Sequence, residues 1–408
     1  MECKARIVLI IAAIAVLAVY LPYFMWIGFS EMSFRPQIEY SPLEETFIIK
    51  SMKGAVSREG KEYSAQEMAC ALPFSKYKEL AVNDALPDSV KDFKWDTKVV
   101  QQYNEYKIFS PYYFNMKSLG LYPLFDTNIV GSVIKPDDYF RLNDRIEFVD
   151  AATNKIKEEL SQKYTQIMRE HGFEFPGQKV FGSTSSMKRY DEGYFMVDAE
   201  GKVFHVLKRK GKFKCIYTKI TNGLQFKKMH VLTSLNRKLY GLVATIENEL
   251  YVLTTNDYGY IKIPIEYNSD FQKLSFRATV LNYQFSIHDG DETSFVVTDR
   301  RFNAVDQYKY IANKSTSYVH SELIPAVFPF ILTTQNRNSR FFDPSIEIQK
   351  KGWMGNIVCV ILFVLGLLIW KKKLVNNISD IIFISVFGIY ALIAVFVFPN
   401  FKNLSFKG

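Results

Sequence analysis

Tyr194-Phe-Met-Val197, the turn Asp198-Ala-Glu-Gly201 and then Val203-Phe-His-Val206 make two short apolar runs joined by residues that favour a tight reversal, which is the signature of a β-hairpin. The same unit recurs three times. Tyr240-Gly-Leu-Val243 is joined to Leu250-Tyr-Val-Leu253 through Glu247-Asn-Glu249, and Gln284-Phe-Ser-Ile287 to Phe295-Val-Val-Thr298 through Asp289-Gly-Asp291. Pro329-Phe-Ile-Leu332 is joined to Arg340-Phe-Phe-Asp343 through Gln335-Asn-Arg-Asn338. The units start 46, 44 and 45 residues apart, the period of a four-stranded propeller blade. The expectation is a β-rich, propeller-like region over residues 183–350, with strands such as Phe47–Lys50 or Ile146–Asp150 available to complete it. A β-sandwich is the alternative, because the units share a pattern and not identical residues.

Residues 30–182 read as mixed α/β. Ser64-Ala-Gln-Glu67 is a capping box opening a helix that Pro73 stops. A second helix is expected from Thr153 or Asn154 to Gly172, with Ile156, Leu160, Tyr164, Ile167 and Met168 on one face.

The chain ends are apolar. Residues 7–29 run without a charge, enough at about 1.5 Å per residue to cross a hydrocarbon core of roughly 30 Å. Lys4 and Arg6 precede this run, and its length argues for an uncleaved anchor over a signal peptide. Pro22, Tyr23, Phe24 and Trp26 place an aromatic belt late in the segment. Residues 353–370 and 381–398 read as a transmembrane hairpin joined by the loop 371–380, with Gly366 and Gly388 available for close helix approach. The positive-inside rule puts residues 1–6 and the Lys371-Lys372-Lys373 loop on the cytoplasmic face. Three spans and an external domain follow, with the tail 399–408 outside. The expected class is therefore a membrane-anchored α+β protein, with the bilayer as a partner.

Charge is distributed unevenly. The chain carries +9, and the block Gly201–Ile246 holds eleven Lys or Arg and no acid, leaving about −2 elsewhere. Lys208, Arg209, Lys210, Lys212, Lys214, Lys227 and Lys228 form a candidate basic surface for anionic lipid, an acidic partner or a polyanion. Nucleic acid fits only if the orientation is reversed. Of four cysteines, Cys70 and Cys215 are the pair able to form a disulfide in the external region, and two isolated thiols are the alternative. Phosphate-loop, metalloprotease and nucleophile-elbow motifs are absent from the sequence, the five histidines are scattered, and no cofactor or metal is expected. His288 with Asp289, Asp291 and Glu292 could supply oxygen ligands, and Asp137-Asp138 and Asp191-Glu192 could serve acid–base chemistry. Adjacent Pro136 and Gly193, and the hairpin context of Gly290, favour solvated turns for all three.

Leu121-Tyr-Pro-Leu-Phe-Asp126, Lys135-Pro-Asp-Asp-Tyr-Phe-Arg-Leu142, Glu147-Phe-Val-Asp150, Thr153-Asn154, Gly172-Phe-Glu-Phe-Pro176 and Asp191-Glu-Gly-Tyr-Phe195, with Leu72-Pro-Phe74 and Leu86-Pro-Asp-Ser89, resemble an uncharacterised bacterial family known only as a domain of unknown function. Its members look like inner-membrane proteins whose genes often neighbour those of ABC transporters. The resemblance implies an accessory role and supplies no catalytic residues. The expected function is a non-enzymatic membrane-anchored binding protein, a partner of an ABC-type transporter. An envelope hydrolase using Asp138 and Asp191, and a sensor or anionic-surface binder, are the competing expectations.

Overall fold

The computed structural model describes residues 2–29, 36–111, 120–124, 136–185, 191–220, 224–234, 236–312, 319–335 and 342–400. They fall into two compact units, Arg35–Ala312 and a second made of Met1–Phe34 with Asn313–Gly408. The first helix, α1 (Glu2–Gly28), belongs to the second unit.

Unit Arg35–Ala312 is a succession of antiparallel sheets. Strands β1 (Gln37–Ser41), β2 (Thr46–Ser51), β3 (Gly54–Ser57) and β4 (Glu62–Tyr63) form a four-stranded meander. Helices α2 (Ala65–Ala71) and α3 (Pro73–Val82), the pair β5 (Ser89–Val90) and β6 (Phe93–Lys94), and α4 (Thr97–Tyr103) lead to β7 (Glu105–Phe109). Next come β8 (Tyr122–Pro123), β9 (Asp138–Leu142) and β10 (Ile146–Asp150), with α5 (Glu158–Glu170) against them. Two further meanders are β11 (Lys179–Gly182), β12 (Tyr194–Val197), β13 (Val203–Arg209), β14 (Lys212–Tyr217), and β15 (Phe226–Val231), β16 (Leu239–Thr245), β17 (Glu249–Thr254), β18 (Tyr260–Glu266). The last sheet joins β19 (Lys273–Ala278), β20 (Asn282–Asp289), β21 (Glu292–Asp299) and β22 (Ala304–Ile311), with β7 added beside β19.

The apolar runs of the sequence are continuous because both faces of these sheets are covered. Along β12, Tyr194 and Met196 pack with Phe140 and Phe148 of the β8–β10 sheet, while Phe195 and Val197 pack with Val243 and Leu253 of the next. Leu242, Ala244 and Val252 then turn to Phe276 and Phe285, and Phe295 and Val297 turn to Ile38 and Phe47. Alternation along a strand thus addresses two neighbouring sheets in place of core and solvent.

Several expectations are met in detail. The capping box is formed, Glu67 N donating to Ser64 Oγ at 3.2 Å and Ser64 N to Glu67 Oε2 at 2.8 Å. Ile146–Asp150 is a strand with those bounds. The fourth repeat behaves differently from the other three. Its first run lies in β23 (Phe330–Gln335), which pairs with β24 (Phe342–Ile348) so that Phe330 and Leu332 face Ile348 and Ile346 and not the second run, whose Arg340 and Phe341, like the turn residues 336–338, lie outside the described residues. This two-stranded ribbon belongs to the unit that holds the apolar helices, and β1–β4 extend the sheet array instead. Thr153 and Asn154 lie outside helix α5. Asp150 Oδ1 accepts from the amides of Ala152 and Thr153 at 3.1 and 2.7 Å, and Asn154 takes φ +57° in the resulting turn, so the helix begins only at Glu158.

In the second unit, α6 (Ile324–Val327) precedes β23, and α7 (Gly352–Ile369) and α8 (Ile378–Val397) follow β24. Ala5–Gly28, Gly352–Ile369 and Leu374–Val397 are long and apolar enough to cross a membrane. Helix α8 is not one rod as the sequence led us to expect: Gly388, at φ +53° and ψ −130°, breaks it.

Candidate functional site

One end of three sheets carries the loops 191–193, 209–212, 232–234 with 236–238, 255–259, 279–281 and 299–303, and these hold much of the chain's unusual chemistry. Two clusters form there.

The first surrounds Glu192, whose side chain is 1% exposed. Arg237 Nε donates to its Oε1 at 3.1 Å, and Arg209 Nη2 lies 3.5 Å from its Oε2. Burial raises the Glu192 carboxyl above the usual range, and the two arginines oppose that rise. His205 is buried beside it, stacked on Phe195 with ring centroids 4.4 Å apart. Its Nε2 faces the Glu192 carbonyl, which can only accept, so Nε2 carries the hydrogen and Nδ1 accepts from Tyr258 Oη at 2.9 Å. Desolvation pushes His205 down to about 4, with Arg209 adding in the same direction.

The second cluster lines a cavity of about 570 Å³ between β16–β18, the β19–β20 and β21–β22 turns, and α4. Its cations are Lys238, Arg300 and Arg301, and among the described residues no lining residue is acidic. Arg300 is held between two aromatic faces, its guanidinium carbon 4.1 Å from the Tyr283 ring centre and 4.7 Å from that of Tyr103. Phe302 stacks behind Tyr283 at 4.7 Å. Each desolvated cation–π contact contributes up to about 2 kcal/mol. Arg300 Nη1 donates to the Thr279 carbonyl at 2.9 Å, and among the described residues none of the three cations has a carboxylate within ion-pair distance. Asp299, on the same turn, is occupied by the amides of Arg301 and Asn303 at 2.8 and 2.9 Å. Burial holds Arg300 below the ordinary arginine value. A half-buried guanidinium that gives one of its five N–H donors to a protein hydrogen bond among the described residues, in a concave wall whose described lining is acid-free, is suited to an anion.

A larger groove, about 800 Å³, contrasts with it. Its Arg141 and Arg145 are neutralised by Glu147 and, for Arg145, also by Glu158 at 2.6 Å. Two of its three arginines are thus held by acids, and the wall itself carries Asp144 and Glu147, unlike the smaller cavity.

The residues singled out from sequence are placed as follows. Lys208, Arg209, Lys210 and Lys212 surround the β13–β14 reversal, where Lys210 and Gly211 both take positive φ, and Lys214 follows on β14. Lys227 is paired with Asp270 at 2.6 Å, and burial lowers the half-buried Lys228. The acids that answer this block come from outside it, Glu192, Glu200 and Asp270. Cys70 is an exposed free thiol and Cys215 a buried one, pushed up to about 12 by desolvation. Asp138 is engaged by Lys157 at 2.5 Å, and Asp191 caps the Gly193 amide at 2.9 Å, each in its own segment. His288 bridges Ser275 and Thr293 at 2.9 and 3.2 Å, while Asp289 and Glu292 are held by Gln272 and Lys309 across a tight hairpin. Among the described residues no group of His, Cys, Asp or Glu could hold a metal. Arg300, Arg301, Tyr103 and Tyr283 were not singled out from sequence. The Arg300-Arg301 pair is visible there, but it lies outside the basic block, and Tyr103 arrives from a distant helix.

The molecule is thus an α+β protein with a large β-rich unit and three helices long enough to cross a bilayer. Residues 37–298 match the family described as Domain of unknown function (DUF4857), and the chain belongs to that family. No curated protein matches the chain.

Proposed function

We propose that the protein is a non-enzymatic binding protein of the bacterial inner membrane, whose β-rich unit lies on the extracytoplasmic side as a propeller-like array and captures a small anionic ligand. The observation that carries this reading is Arg300, held between Tyr103 and Tyr283 in a cavity with two further cations and no acid among its described lining residues. The volume, about 570 Å³, suits a small organic ligand. Lys210 and Lys212 at the β13–β14 turn, together with Arg209 and Arg237 that exceed by one charge the Glu192 carboxylate they flank, add positive charge that favours such a ligand. Lys4, Arg6 and the triple lysine support the orientation. Delivery or sensing at an ABC-type transporter is the role the family resemblance favours.

The test is thermal unfolding of the full-length protein in nanodiscs with citrate, inorganic phosphate or, as a cationic control, spermidine. Citrate or phosphate is expected to raise the Tm of the wild type and to leave Arg300→Gln unmoved, since a ligand at about 100 times its Kd stabilises by about 2.7 kcal/mol. No anion-dependent rise, or the same rise in the variant, would overturn the reading.

A further inference from the structure

A straight helix of the length of α8 would hold its ends about 30 Å apart. Here they meet. Arg6 Nη1 and Nη2 donate to the Asp380 carboxylate in the first turn of α8 at 2.8 and 3.0 Å, and Arg6 Nε donates to the carbonyl of Phe398, just past the last turn, at 2.9 Å. Beyond both ends, Asn400 Nδ2 donates to the Asn376 carbonyl at 2.8 Å. The chain reverses at Gly388, whose positive φ disfavours any side chain, and a Cβ there would lie 2.2 Å from Asn356 Oδ1. Asn356 of α7 donates to the carbonyls of Ser385 and Val386 at 3.0 and 3.2 Å, groups that the break deprives of helical partners. Tyr390 Oη, just after the reversal, donates to the Phe330 carbonyl at 2.6 Å.

We infer that α8 is a re-entrant helical hairpin that enters and leaves the membrane on one side, leaving α1 and α7 as the spanning helices. Each limb has about ten residues and so reaches about 15 Å, half of a hydrocarbon core of roughly 30 Å. Irregular backbone at that depth is tolerated only inside protein, and Gly388 is buried against Asn356 and Pro329. The Arg6–Asp380 pair, with side chains 12% and 1% exposed, ties the base of the hairpin to the start of α1. Asn400 therefore leaves on the face of the Lys371-Lys372-Lys373 loop. Lys402 and Lys407, which follow in sequence, then add to the positive side of the membrane instead of opposing it.

Two spans put both chain ends on one side, whereas three put them on opposite sides. Protease protection of the full chain, carrying an epitope at each terminus, in sealed inverted and right-side-out vesicles reads this directly. The expected result is that both epitopes are cleaved in the same vesicle orientation; cleavage in opposite orientations would overturn the hairpin. A second reading comes from a chain whose native cysteines are serine, with Lys372→Cys or Asn403→Cys labelled by a membrane-impermeant maleimide. Both positions are expected to react from the same side, and reaction from opposite sides would equally restore a third span.

Discussion

His205 shows how burial dominates the protonation of a side chain. Its folded value near 4 lies below the ordinary 6.5, so between those limits the unfolded chain binds a proton that the folded chain refuses. Stability is therefore full above pH 6.5 and is lost as the pH falls toward 4, by about 3 kcal/mol for this residue. His230, lowered to about 3 by its own burial, acts in the same direction. Unfolding of the nanodisc-held protein across pH 4–7 is expected to show this fall, and His205→Gln to flatten it. A variant as steep as the wild type would count against the assignment. Glu192 works with the opposite sign. Burial already raises it, and removing a flanking cation leaves an ionised carboxylate with less compensation. Arg237→Ala is expected to cost about 1–3 kcal/mol near neutral pH, the penalty of a poorly paired buried group, and less at acidic pH, because burial already favours the protonated carboxyl. Equal loss at both pH values would mean that Arg237 acts through packing alone.

At the scale of elements, the strands obey local rules and α8 does not. In β12 and β13 every second residue faces one neighbouring sheet and the remainder the other, so apolar pattern and packing agree without help from distant residues. Helix α8 reads from sequence as one apolar span because glycine, though costly in a helix, does not by itself stop one in an apolar run. What breaks it is Asn356 of α7, which takes the carbonyls of Ser385 and Val386 and fills the space where a Cβ would sit. Gly388→Ala is therefore expected to lower the yield of folded protein and its Tm in nanodiscs. Gly366→Ala, whose new methyl would meet only Trp370 at ordinary contact distance, should be nearly silent. Comparable effects at the two glycines would show that the reversal at Gly388 is not needed for the fold.

For the whole molecule, the proposal of a transporter partner is tested in native membranes. After gentle crosslinking, the tagged protein is expected to co-purify with ABC-type subunits near stoichiometric amounts, and its recovery alone would remove that role while leaving the anion site standing. The sequence by itself determined the apolar segments at both ends, the hairpins with their turns, the capping box and the excess of cations in Gly201–Ile246, because each is set by residues within a few positions of one another. Tertiary structure alone decided which runs join which sheet: β23–β24 left the array, β1–β4 joined it, and β7 added itself to β19. It also decided the site, since Tyr103 reaches Arg300 across nearly two hundred residues, and Glu192 answers arginines from two later turns. Burial and long-range electrostatics depend on the folded neighbourhood, which no local pattern in the chain encodes.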